Sequence, residues 1–191
     1  MYYVLRCLDY DDGADGYMEI EDWLDISGFS DWGMGRIAAS RPIASIVINA
    51  VPHDGYKGLP KEFSDGAIPL MSARLKGVLD AAAVDNIVYY PVQLKNSETG
   101  ATYDYFAFNL LGLVSATDFG KSRLESYDGD FKGDSTIEHL VVDPAKARDL
   151  AMFRLTEKFS TILVHERVRK RIEGAGINTL TFVRPEDYFH L

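Results

Sequence analysis

Residues 70–89 read like residues 163–182 displaced by 93 positions. Leu70-Met71 falls on Leu163-Val164, Arg74-Leu75-Lys76 on Arg167-Val168-Arg169, Leu79-Asp80 on Ile172-Glu173, and Ala82 on Ala175. Val84, Ile87 and Tyr89 then fall on Ile177, Leu180 and Phe182. Each stretch predicts a strand edge, a short helix, a turn and a second strand, because a stripe at helical spacing gives way to alternation. An apolar stripe common to both places both helices on one sheet. Two origins remain open, duplication and convergent βα patterning, since pairs such as Val78 with Arg171 disagree. Either origin predicts an α+β fold, a mostly antiparallel sheet with short helices and two similar helix–strand units.

The rest of the chain fills in around these units. Tyr2–Leu8 and Ile43–Val51 are β-rich and predict strands. Asp9–Gly16 is a turn or loop, Tyr17–Ile26 a strand or short helix, and Gly28–Gly35 irregular. His53–Ala67 reads as a loop. Met71, Leu75, Leu79 and Ala82 put a helix over Ser72–Ala82, with Ser72 as its N-cap. Asn86–Leu94 and Thr102–Val114 predict an antiparallel hairpin, the latter either one long strand or two strands bent near Gly112. Thr117–Thr136 is a polar loop of unusual length, which marks function or mobility. Further strands are predicted at His139–Val142, Met152–Leu155, Thr161–Val164 and Leu180–Val183. Helices follow Pro144 and span Glu166–Glu173.

Composition bounds the possibilities. At 191 residues and 47% hydrophobic, the chain can bury a real core, and one domain over residues 1–191 is expected. Cys7 is the only cysteine, which excludes an intrachain disulfide framework and a cysteine-based zinc cluster. The opening residues carry no basic, apolar leader pattern, and no apolar run reaches membrane-spanning length, so a cytoplasmic protein is expected. The net charge is −9. A chain of this charge lacks the basic face that binds phosphate, so nucleic acid is not the expected partner.

That charge is uneven. Residues 1–66 form an acidic amino-terminal part, and Asp9–Asp31 holds nine carboxylates with no Lys or Arg. Asp11-Asp12-Gly13-Ala14-Asp15-Gly16, with Glu19 and Asp22, echoes a calcium loop. However, Gly13 has no carboxylate, Asp22 is shorter than the usual closing Glu, and no entering helix precedes it. A solvated acidic turn is the reading adopted, with no metal and no cofactor. His53, His139, His165 and His190 show no paired metal-ligand spacing, and His165 reads as a helix cap or surface residue. Cys7 sits in a strand and reads as an inert thiol. Gly33-Met34-Gly35 lacks the rest of a phosphate cradle, and no nucleophile elbow occurs. The run Arg167-Val168-Arg169-Lys170-Arg171 reads as a solvated helix face. Asp9–Asp31 interleaves its carboxylates with aromatics. Asp11, Asp12, Asp15, Glu19, Glu21, Trp23 and Trp32 are therefore the candidate contacts to a basic partner, since charge steers encounter and Trp anchors it.

Three pieces of the carboxyl-terminal two-thirds carry a family resemblance. They are Leu70-Met71-Ser72-Ala73-Arg74-Leu75-Lys76 leading to Val84–Val92, then Tyr105–Leu111 through Ala116-Thr117-Asp118. The third is Phe153-Arg154-Leu155 with Ile162–Val168 and Gly176–Phe182. Over roughly residues 67–188 the chain resembles an immunity-protein family of bacterial polymorphic toxin systems, long catalogued as a domain of unknown function. The resemblance implies a non-enzymatic protein that binds and neutralises a cognate toxin, and it carries no catalytic residues. Two other readings stand beside it. One is a small enzyme whose site gathers Asp118, His139 and Glu166, and the other is a structural or oligomerising module.

Overall fold

A computed structural model describes residues 1–7, 18–20, 35–36, 46–65, 68–126 and 129–189. Among them, five strands form one sheet in the order β13 (Leu180–Val183), β1 (Tyr2–Cys7), β12 (Ile162–His165), β11 (Met152–Leu155) and β8 (Leu113–Val114). Six form a second sheet: β2 (Met18–Ile20), β3 (Ile46–Pro52), β6 (Ile87–Asn96), β7 (Thr102–Leu110), β5 (Pro69–Ser72) and β4 (Phe63–Asp65). A two-stranded ribbon pairs β9 (Arg123–Glu125) with β10 (Thr136–His139). Helices α1 (Ala73–Ala81), α2 (Pro144–Ala147) and α3 (Glu166–Gly174) complete an α+β fold. Pairing is antiparallel except between β3 and β6 and between β11 and β8.

The two similar stretches become two units of one design. Each runs strand, helix, strand: β5–α1–β6 and β12–α3–β13. The helices start and stop at matching positions. Ser72 Oγ accepts from the Leu75 amide, and His165 Nδ1 accepts from the Arg167 amide, so both matched residues cap a first turn that lacks intrahelical partners. At the far end, Ala83 and Gly176 both take a left-handed conformation, φ 56° and 70°. The same ladder of amide-to-carbonyl bonds closes each helix there, Val84 onto Leu79 and Ile177 onto Ile172.

Each unit also holds an antiparallel third strand between its two outer ones. In the first unit it is β7, with Ala107 lying between Leu70 and Tyr90. In the second it is β1, with Val4 lying between Leu163 and Val183, the residues that match Leu70 and Tyr90. Even the cation over the central strand recurs. Lys76 Nζ stands 5.6 Å from the Phe106 ring centroid, and the matching Arg169 stands 4.1 Å from that of Tyr3.

The helices pack on each other and share one core between the sheets. Leu75, Leu79, Val168 and Ile172, all nearly inaccessible, meet Tyr3, Leu5, Met71, Phe108 and Val164. Full burial of each such aliphatic side chain contributes about 1.5–3 kcal/mol. The outer faces carry two more clusters, one around Ile48, Tyr90 and Leu94 and one around Tyr2, Phe153 and Leu163. A buried ion pair ties the sheets together. Arg154 on β11, 2% exposed, donates to both oxygens of Asp65 on β4 at 2.7 and 3.1 Å and to the Phe159 carbonyl at 2.8 Å.

Several local expectations change. The bend at Gly112, φ 90°, is where the chain leaves the six-stranded sheet to enter the other as β8. Gly35, φ 64°, docks its carbonyl on the Gly112 amide, and a Cβ there would sit 3.0 Å from Gly112, so this glycine serves close backbone approach. The segment read as a loop at His53–Ala67 contains β4. The strand expected at His139–Val142 instead ends at His139, after a register shift against β9. No described helix is long and apolar enough to cross a membrane.

Candidate partner interface

Of the seven predicted contact residues, Glu19 is the one the structure describes. It is exposed on β2, opposite Val51. Asp11, Asp12, Asp15, Glu21, Trp23 and Trp32 lie outside the described residues, as does most of the calcium-like run.

Strand alternation fixes what surrounds Glu19. Across the sheet, Asn49 faces Lys95, and Val47 faces Gln93, which in turn faces Asp104. Their neighbours along the strands, Ile48, Ala50, Val92 and Leu94, point the other way and are buried. The result is an open face on which Glu19, Gln93, Lys95 and Asp104 are exposed around Val47, itself 48% exposed. Both charge signs around an apolar residue suit contact with a protein surface. The described groups on this face are carboxylates, amides, an ammonium and apolar side chains.

The turn after β11 staples both ends of the polar segment Thr117–Thr136. Glu157, 1% exposed, accepts from the hydroxyls of Ser115 and Thr117, the latter at 3.0 Å. Its carbonyl takes the Ser135 amide at 3.0 Å, and the buried Lys158 reaches Asp134 at 2.9 Å. Between these staples the loop presents Phe119, 46% exposed, with Phe131 5.5 Å away and Lys146 over its ring. An exposed aromatic in a charged surround is the kind of anchor interfaces use.

The dispersed acid–base set does not assemble. Asp118 binds Lys121 at 2.9 Å, His139 Nδ1 meets the Glu186 carbonyl at 3.1 Å, and Glu166 pairs with Lys170 at 3.0 Å. Each has its own partner and none is shared. Asp118 is held below the usual carboxylate range by the hydrogen bond from Lys121, and Glu166 likewise by Lys170. His165 is lowered first by burial and then by nearby positive charge that includes Arg167, with Asp149 and Glu166 opposing. Its neutral Nδ1 is therefore the form that caps α3. Among the described residues no three metal-ligating side chains converge.

A cavity of about 300 Å³ is lined by Cys7, Ile20, Lys61, Phe63, Asp65 and Tyr105 among others. Three of its polar groups are engaged elsewhere. Asp65 holds Arg154, Tyr105 Oη donates to the Pro60 and Lys61 carbonyls, and Cys7 Sγ donates to the Phe63 carbonyl. The wall is thus built for stability, and the two exposed surfaces remain the candidate site.

Family models match residues 45–187 to the immunity protein family (Imm11). The match takes in β3 through β13 and leaves Asp9–Asp31 outside it. No curated protein matches the chain.

Proposed function

The chain belongs to the immunity protein family (Imm11), and on that premise we propose that it is a non-enzymatic immunity protein. It binds a cognate bacterial toxin directly and neutralises it in the cytoplasm of the producing cell, as part of a polymorphic toxin system. The family match over most of the chain is the observation that carries this reading. The partner is a toxin of basic character, because the stretch Asp9–Asp31 holds nine carboxylates and no Lys or Arg, a charge that attracts a cationic partner. Asp11, Asp12, Asp15, Glu19, Glu21, Trp23 and Trp32 form the principal contact. Glu19 brings the open sheet face into it, and Phe119 on the stapled loop is the second contact region. Carboxylates placed this way speed encounter, and the aromatics slow release.

The test is co-expression with the product of the adjacent gene. Growth rescue and a co-purifying complex are expected, with an association rate that falls at least tenfold between low and physiological salt. A variant carrying amides at positions 11, 12, 15, 19 and 21 should lose most of that salt dependence. Rescue that persists with unchanged binding kinetics would remove the acidic interface. Absence of any complex would remove the immunity reading itself.

A further inference from the structure

The two units provide an internal control for what α3 needs in order to fold. Every structural device of α3 has its counterpart in α1: the cap, the apolar stripe, the left-handed exit, the cation over the central strand and its acid four residues on. What differs is the outward face. Arg74 on α1 is committed, to Glu62 at 3.0 Å and to the Ala175 carbonyl at 2.6 Å. Its counterpart Arg167 has the Asp149 carbonyl at 3.3 Å and, among the described residues, no carboxylate. Where α1 carries Gly77 and Val78, α3 carries Lys170 and Arg171. Lys170 pairs with Glu166, whereas Arg171 is exposed and has no carboxylate partner among the described residues.

A strained turn adds to this face. Arg148 and Asp149 are consecutive non-glycine residues in the left-handed region, φ 50° and 53°. Each such residue costs roughly 1–2 kcal/mol. The turn is held by the Arg148 amide on the Pro144 carbonyl, by the Leu150 amide on the Ala147 carbonyl and by Arg167 itself. It sets an exposed Arg148, with no carboxylate partner among the described residues, and Leu150, 38% exposed, beside the first turn of α3. Arg171 follows Arg167 by one helical turn on the same face.

We propose that Arg148, Leu150, Arg167 and Arg171 form a docking surface for an acidic polypeptide segment. Guanidinium groups bind carboxylates through paired, directed hydrogen bonds, and an exposed leucine among them supplies apolar contact. Nucleic acid fits less well. Three cations that have no carboxylate partner among the described residues, on a chain of net charge −9, release few counterions, and phosphate makes no use of Leu150. The surface is distinct from the acidic amino-terminal stretch, so its failure would leave the toxin reading untouched.

The experiment is a titration of the full-length, isotope-labelled protein with a glutamate- and leucine-rich peptide, followed by amide chemical shifts. A fluorescent form of the peptide gives affinity, and a DNA duplex of 20 base pairs runs in parallel. Shifts are expected at residues 148–150 and 166–171. Affinity should fall at least tenfold in the Arg167→Gln, Arg171→Gln double variant and stay unchanged in Lys57→Gln, an exposed lysine outside both surfaces. Shifts elsewhere, or equal affinity in the double variant, would overturn the proposal. Tighter binding of the duplex at the same residues would overturn the assignment of its partner class. The wild-type shift map decides the matter even where the double variant is unstable.

Discussion

Unit β5–α1–β6 takes its central strand from the hairpin that directly follows it, while unit β12–α3–β13 takes its own from β1, at the opposite end of the described chain. The two central strands nevertheless sit in the same register on both sides. The lesson is that one register is reached through two connectivities: a turn delivers β7 to the first unit, whereas β1 joins the second across the length of the described chain. Local devices set the helices; packing of alternating apolar residues on the shared core sets the register.

Matched substitutions break or sharpen this equivalence. The largest effects belong to the stripe. Leu79→Ala and Ile172→Ala remove matched side chains that are both almost fully buried. Each should cost about 2–5 kcal/mol in chemical denaturation. A difference beyond about 2 kcal/mol between them would mean that the units do not share one core equally.

The caps should behave alike in kind and differ in pH response. Ser72→Ala should cost about 1 kcal/mol at every pH between 5 and 8. His165 caps only when neutral, and burial lowers its pKa from the ordinary 6.5. The unfolded chain therefore binds the proton more readily, and stability is lost as pH falls below the ordinary imidazole value. His165→Ser should retain the cap and flatten that dependence. A wild-type denaturation midpoint that does not fall between pH 7 and 5 more steeply than the variant's would refute the cap assignment.

The smallest effects lie at the helix exits. Gly176→Ala should destabilise by about 1 kcal/mol, because alanine resists positive φ. Ala83→Gly should change stability by less than about 0.5 kcal/mol, since relief of the same strain is offset by glycine's backbone entropy. Thermal melts of the two variants measure both.

The helices were legible because their signals are local. Ser72 and the Met71, Leu75, Leu79 stripe give α1 within a residue, and Asn96 with Gly100 gives the turn between β6 and β7, where Asn96 Oδ1 accepts two amides. What escaped was long-range. β4 has three residues, and its place depends on Phe63 entering the core and Asp65 meeting Arg154 far along the chain. Nothing within Tyr2–Cys7 announces a central strand, and nothing near Ser115 or Thr117 announces Glu157. Of the candidate site, Glu19 is placed on an exposed face, while Arg148 and Leu150 went unread. The only hint for them is the short distance from the helix after Pro144 to the strand at Met152, which forces a sharp turn.

The placement of β1 also sets a clock. A ribosome makes Tyr2–Cys7 before any other described strand, yet β12 and β13, its two neighbours, emerge last. At roughly 5–20 residues per second the first strand waits on the order of 10–40 s for its partners. The five-stranded sheet can close only after Leu180–Val183 has emerged. A copy that stops before Leu180 leaves one edge of β1 without its neighbour, and the first strand made is then the one most exposed to wrong pairing.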